Sequence, residues 1–297
     1  MKECKLYKKL YKNKNSKSKN VRCFACSHKC IIGEGKTGVC FVRKNINGKL
    51  YLLVYGRVIS HNVDPIEKKP LYHFMPGTFA YSIGTFGCNF RCGFCQNYEI
   101  SQAQESLEYL EGLFGEKMTP KQIVQNALKS KCSSIAYTYN EPTIFIEFVK
   151  DTAIEARKKG LKNILVTNGF MTKECLDFIG KYIDAMNIDL KAFSDKFYRK
   201  NCKARLKPVL ETIKNAYKKG IHIEITTLLI PGENDSKSEI QKIAKFISSI
   251  DKNIPWHISR FFPMYKMIDK KVTDVEKLKQ AKEIGEKYLK YVYLGNI

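Results

Sequence analysis

No stretch of this chain approaches the roughly 18 consecutive apolar residues needed to cross a bilayer. The basic opening, MKECKLYKKLYKNKNSKSKN, also lacks the apolar middle of a secretory signal. Both absences predict a cytoplasmic protein with no membrane partner. Acidic residues are scarce, with 29 Asp and Glu against 52 Lys and Arg, for a formal net charge of +23. Such a field attracts nucleic acid or an acidic redox partner. The surplus is mostly lysine spread along the chain, however, which favours a basic solvated surface over a nucleic-acid partner. An even cysteine count is missing too. Eleven cysteines cannot all pair within one chain, and in a reducing compartment clustered cysteines more often hold metal than form disulfides.

What is present is enough apolar sequence, 44% of 297 residues, for one large domain and a small appendage. Residues 1–20 read as a basic segment. Leu6, Tyr7, Leu10 and Tyr11 fall at helical spacing there, and Asn13–Asn20 reads as a mobile connection. Residues 21–76 read as a small cysteine-rich β unit. Its hairpin has strands near Val39–Arg43 and Leu50–Tyr55, turned by Asn47-Gly48.

Residues 77–297 alternate. Apolar strands are predicted at Phe79–Ile83, Ser134–Thr138, Asn163–Thr167, Ala185–Asp189, His222–Leu229 and Trp256–Phe261. Amphipathic helices are predicted at Pro120–Lys131, Phe145–Lys159, Lys207–Lys219 and Lys237–Ile250, with Gly160 and Gly220 as left-handed caps. Six strand–helix units predict an α/β fold of the partial (β/α)6, TIM-like kind, with chemistry at the C-terminal ends of the strands.

One loop stands at such an end. Gly84-Thr-Phe-Gly-Cys88-Asn-Phe-Arg-Cys92-Gly-Phe-Cys95 follows the first of these strands. Cysteines separated by three and then two residues let one loop hold three corners of an iron–sulfur cubane, with Gly87 and Gly93 giving the backbone its freedom. A fully protein-bound four-iron cluster takes four thiolates; three leave one iron open, and open coordination marks metal sites that bind substrate. A structural zinc loop is the alternative.

This C-x3-C-x-aromatic-C loop resembles the signature of the radical S-adenosylmethionine (SAM) superfamily. The resemblance implies a partial radical SAM barrel and a [4Fe-4S] cluster on Cys88, Cys92 and Cys95, with SAM chelating the open iron. It also implies reductive cleavage to a 5′-deoxyadenosyl radical that abstracts hydrogen, with Phe94 against the adenine. Relatives hold SAM at later strand ends. Here those positions carry Asn140 and Glu141 (without the two glycines usual before the glutamate), Asn168, Asp189 and Lys191. Helix capping by Glu141, a plain turn at Asn168-Gly169 and an internal Asp189–Lys191 pair remain as alternatives. Leu229-Ile-Pro-Gly232 resembles the segment that packs on adenine. His257, Ser259 and Arg260 reach toward substrate, with a structural role favoured for His257.

Cys23, Cys26, Cys30 and Cys40 offer four thiolates in one compact stretch, suited to a closed zinc site or a second iron–sulfur cluster. Buried free thiols are the alternative there, and Cys4, Cys132, Cys175 and Cys202 read as packing residues. More narrowly, the chain resembles the radical SAM component of the AmmeMemoRadiSam system, itself similar to pyruvate formate-lyase activating enzymes. The stretches that carry this are Cys23–Cys40, Asp64–His73, Cys88–Gln102, Ala136–Glu147, Asn187–Phe193, Lys207–Thr212 and Trp256–Pro263. The loop over Lys12–Asn20 is longer and more basic than is usual there, and a cysteine-containing tail is not seen after Asn296. The resemblance implies a protein or small-molecule substrate and a low-potential electron donor of flavodoxin or ferredoxin type. An RNA-modifying radical SAM enzyme and a metal-stapled binding or electron-transfer protein are the competing readings.

Overall fold

A computed structural model describes residues 1–11, 18–102 and 115–297. The connection expected over Asn13–Asn20 lies largely outside them. The main sheet has eight strands: β1 (Ser60–Pro65), β2 (Phe79–Gly84), β3 (Ser134–Tyr137), β4 (Lys162–Thr167), β5 (Ala185–Asp189), β6 (His222–Leu229), β7 (Trp256–Arg260) and β8 (Val292–Gly295). They lie side by side in chain order. Strands β2 to β8 are parallel, and β1 pairs antiparallel with β2. Strands such as β3, SIAY, are buried on both faces, as parallel strands covered by helices must be.

The crossovers are helices whose starts are written in the sequence. α1 (Pro120–Lys129) opens with a capping box between Thr119 and Gln122 and with proline in its first turn. α3 (Lys173–Ile179) and α5 (Lys237–Ser248) are capped by Thr172 and Ser236, and α6 (Val275–Glu286) by Asp274. α2 (Ile146–Lys158) and α4 (Leu206–Lys218) are followed by Gly160 and Gly220, both left-handed at φ +76° and +73°.

All six predicted strands and four predicted helices are present. The expectation of six strands needs correction, because β1 and β8 join the same sheet. β1, SHNVDP, carries no apolar alternation, and β8 has only four residues. β1 also lies before the expected boundary at residue 76, so segments on both sides of that boundary share one sheet.

The N-terminal segment departs from the helical reading as well. Tyr7–Lys9 is a strand paired with Val21–Cys23, and Lys2–Glu3 pairs with Lys49–Leu52. Pairing across a sheet satisfies the backbone groups that a one-turn helix would leave open. The hairpin itself is formed by Arg43–Ile46 and Lys49–Leu52, a few residues from the expected bounds. Asn47 (φ +51°) and Gly48 (φ +75°) turn it.

The segment after β1 crosses the inner face of the sheet. Ile66, Leu71 and Phe74 pack there on Ala80, Ala136, Ile164 and Ala185 of β2 to β5. Glu224 of β6, fully buried, fixes that crossing by accepting hydrogen bonds from the amides of Tyr72 (3.0 Å) and His73 (2.8 Å).

Candidate active site

The loop from Thr85 to Cys95 is held from two sides. Asn140, just past β3, accepts from the amide of Thr85 (3.2 Å). It also donates to Thr85 Oγ1 (3.1 Å) and to the carbonyl of Gly87 (2.9 Å). Behind the loop, Gly87 has φ +89°, and a Cβ there would stand 2.7 Å from the carbonyl of Cys40. Only glycine fits that approach. At Gly93, by contrast, a Cβ would meet Met267 and Lys266 at ordinary contact distances, 3.5 and 3.8 Å.

Cys88 and Cys92 are buried and Cys95 half-buried, and no disulfide joins any cysteine. Burial pushes the Cys88 thiol well up. The Cys92 thiol is raised first by a hydrogen bond with Cys202 and then by burial. Cys202 is a neighbour that sequence spacing did not reveal. A π-helical turn, Tyr198–Cys202, carries it there, and the carbonyls of Cys202 and Asn201 accept from the amides of Arg91 (2.9 Å) and Gly93 (3.1 Å). Burial raises the Cys95 thiol, opposed by hydrogen bonds from Gln102 and the amide of Asn97.

Buried thiolates need a metal to offset that cost. The surroundings fit one: the Phe90 amide donates to Cys88 Sγ (3.4 Å). Asn89 Nδ2 and Gln102 Oε1 beside the loop are buried without partners. Among the described residues, no three ligand-type side chains are drawn together at bonding spacing. The backbone brings the three thiols to one wall.

That wall belongs to a cavity of about 460 Å³ lined by all eight strands or the segments just after them, from Asp64 of β1 to Asn296 beyond β8. Phe94, Asn140, Glu141, Asn168, Asp189 and Lys191 all line it, so these six meet the three thiols here. Their hydrogen bonds refine the roles. The Glu141 carboxylate accepts from the amides of Thr143 (2.9 Å) and Asn168 (2.8 Å), from Thr167 Oγ1 (2.7 Å) and from the Thr143 hydroxyl. It therefore caps the turn Pro142–Phe145 and ties β3 to β4. Burial pushes its pKa up against those bonds.

Asn168 donates to Asn89 Oδ1 (2.8 Å), so it too positions the cysteine loop. Asp189 and Lys191 pair at 2.8 Å, with the ammonium 5.6 Å from the Phe94 ring centroid. At the rim, Asp64 pairs with the buried Lys69 at 2.7 Å and accepts from Tyr139 (2.8 Å). Burial pushes the Asp64 carboxyl up, but these bonds outweigh it and hold it at about 2.

Other candidates fall elsewhere. His257 Nε2 donates to Glu224 Oε2 at 2.7 Å and packs against Tyr72 and Tyr293, a structural place. Ser259 lines the cavity, hydrogen-bonded by Asn296, while Arg260 donates to the Thr273 carbonyl. Leu229 and Ile230 are buried in the core, and Leu228 is the residue of that strand end that reaches the cavity. Cys23, Cys26, Cys30 and Cys40 line a separate small cavity, and no candidate among them meets the main one. No helix among the described residues is long and apolar enough to cross a membrane.

An α/β sheet with a three-thiol loop at the C-terminal end of its first parallel strand defines a SAM-dependent radical enzyme. Residues 82–247 match the radical SAM superfamily, and the chain belongs to it. Among curated proteins it is 46% identical to an uncharacterized protein of Methanocaldococcus jannaschii, over 100% of this chain and 86% of that one. A second protein of that organism, provisionally named a glycyl-radical enzyme activating enzyme, is 30% identical over 70% of this chain and 77% of its own. Pyruvate formate-lyase 1-activating enzyme of Escherichia coli is 23% identical over 68% and 86%. The protein is thus a radical SAM enzyme related to pyruvate formate-lyase activating enzymes. In fold it resembles Streptococcus suis SuiB bound to precursor peptide SuiA (TM-score 0.53, 17% identity, 71% of this chain and 46% of that one). It also resembles a radical SAM methyltransferase of Sphaerobacter thermophilus (TM-score 0.54, 13% identity, 74% and 67%).

Proposed function

We propose that this protein cleaves SAM at a [4Fe-4S] cluster held by Cys88, Cys92 and Cys95, and takes hydrogen from a peptide segment of another protein. The observation that carries the reading is that three unpaired thiols share one cavity wall with polar groups from every strand end. Held by these three cysteines, the cluster would supply one electron for reductive cleavage of the SAM sulfonium to methionine and a 5′-deoxyadenosyl radical.

The chain's own residues do the rest by placement. Asn140 and Asn168 hold the cysteine loop against β3 and β4. Glu141 caps the turn that follows Asn140 and accepts from the Asn168 amide, fixing both. Phe94 offers an apolar face suited to adenine, and the Asp189–Lys191 pair offers both charges to the amino-acid end or the ribose of SAM. The eight strands then act as a partial barrel around the cavity, whose inner face is plugged by the crossing segment at Leu71 and Phe74.

A peptide substrate is supported by the activating-enzyme names of the relatives. A low-potential flavodoxin or ferredoxin would supply the electron, and the +23 charge suits such acidic partners. The cytoplasm is the compartment that suits free thiols.

The test is anaerobic reconstitution with iron and sulfide, followed by dithionite and SAM. Methionine and 5′-deoxyadenosine are expected in equal amounts, and from no single Cys88→Ala, Cys92→Ala or Cys95→Ala variant. A fully loaded cluster that leaves SAM intact would refute the reading.

A further inference from the structure

We propose that Cys23, Cys26, Cys30 and Cys40 form a closed tetrathiolate site for one thiophilic divalent ion of the zinc class, which braces the radical-cluster loop from behind.

The four residues lie on two turns. Cys23 ends the strand Val21–Cys23, and its amide donates to the Cys30 carbonyl (3.0 Å), closing the turn that holds Cys26. Cys40 precedes the strand Arg43–Ile46. All four thiol residues line one small cavity, together with Ala25, Ile32, Val39, Ile144 and Arg43. Its free space, about 10 Å³, is that of a single water-sized sphere. Water in an apolar pocket finds few partners, and a cubane is too large. One ion bonded to sulfur at about 2.3 Å fits that scale.

The amides separate this reading from ordinary packing. Those of Ala25, His28 and Val42, each two residues past a cysteine, face the sulfurs of Cys23, Cys26 and Cys40. The same device recurs in the cluster loop, where Phe90 donates to Cys88 and Asn97 to Cys95. A neutral thiol is a weak acceptor that has little use for an aimed amide, whereas a thiolate is strongly stabilised by one. The nearby Arg43 guanidinium, which also lines the cavity, is already paired with Glu147. On coordination the four thiols release four protons to solvent and bind one divalent ion as thiolates, with no change of oxidation state.

The same turns touch the back of the active site. His28 Nε2 meets the Asn89 carbonyl at 2.8 Å, and Ser27 hydrogen-bonds the Phe170 and Met171 carbonyls (3.0 and 2.8 Å) past β4. The Arg91 guanidinium donates to the Val39 carbonyl and stands 5.1 Å from the Phe41 ring centroid. Cys40 itself meets Gly87. Loosening these turns loosens the loop.

The test uses the full chain with Cys88, Cys92 and Cys95 all replaced by alanine, so that the radical cluster is absent whatever its chemistry. Metal analysis after anaerobic purification is expected to give about one zinc per chain, with four sulfur neighbours by X-ray absorption. A single iron in the same sulfur environment would equally support the site. Of the eight remaining cysteines, four are expected to become more reactive to thiol reagents when the metal is displaced. Adding Cys26→Ala is expected to reduce bound metal at least tenfold. In the otherwise native chain, the same change is expected to reduce iron retained by the loop several-fold. A triple-alanine chain without stoichiometric metal after growth with both zinc and iron would overturn the proposal. So would a second multi-iron cluster.

Discussion

Replacing Glu224 by glutamine tests how the floor of the cavity is held. The carboxylate is fully buried and accepts from two backbone amides at 2.8–3.0 Å, with the Nε2 atoms of His222 (3.0 Å) and His257 (2.7 Å) as further partners. Burial alone pushes its pKa up. The four hydrogen bonds outweigh that and hold it near 2, against the usual 4.5. At about 1.4 kcal/mol per unit, the difference is worth roughly 3 kcal/mol of folding stability. Because the folded-state value is depressed, this stability is fully present above pH 4.5 and is lost as the pH falls toward 2. About 2 kcal/mol of it is gone by pH 3.

Glutamine keeps the shape but turns an amide donor toward groups that are themselves donors. Glu224→Gln is therefore expected to cost roughly 3 kcal/mol at pH 7, a fall in Tm of roughly 6–12 °C. The gap should narrow to about 1 kcal/mol at pH 3. Urea titrations can be followed by the single tryptophan, Trp256, which is buried on β7 and donates to Thr227 (3.0 Å). Working in the chain that lacks Cys88, Cys92 and Cys95 removes cluster loss from the comparison. Equal midpoints at pH 7, or a gap as wide at pH 3 as at pH 7, would refute the reasoning.

Asn140→Ala deletes three hydrogen bonds to the cysteine loop, each worth about 1 kcal/mol. SAM affinity by equilibrium dialysis should fall tenfold or more, while the Trp256 unfolding transition moves little. Gly87→Ala places a Cβ 2.7 Å from the Cys40 carbonyl at a φ of +89°, so iron bound per chain after reconstitution should drop several-fold. Arg43→Met strands the buried Glu147 carboxylate and should cost about 3–5 kcal/mol in urea titration, most of it recovered in Arg43→Met/Glu147→Leu.

Local pattern was enough for much of this fold. Capped amphipathic helices and doubly buried strands such as SIAY announce themselves because propensity, capping and burial agree over a few residues. The three-thiol loop was legible for the same reason: its spacing is local. What sequence could not supply were partners brought together by the chain path. Cys202 meets Cys92 only because a π-helical turn folds back over the loop, and nothing in its flanking residues signals metal. Glu224 reads as one more polar residue in a strand until the crossing segment arrives to meet it. Glu141 and Asn168 were ambiguous between ligand and turn residue. Their hydrogen bonds show them holding the turns that line the cavity, a distinction that depends on Thr167 and Asn89 rather than on their own neighbours.

The pairing of β1 with β2 has a practical consequence for dissecting the protein. A shortened chain beginning at Gly77 would keep every loop of the cavity except those from the β1 side, yet it would strip six residues of partner from β2. The bared backbone groups on that strand are a template for another copy to add to. Such a fragment should self-associate rather than fold alone. Exchange of the cysteine-rich segment between relatives should therefore carry Ser60–Pro65 with it, or leave that strand with its native host.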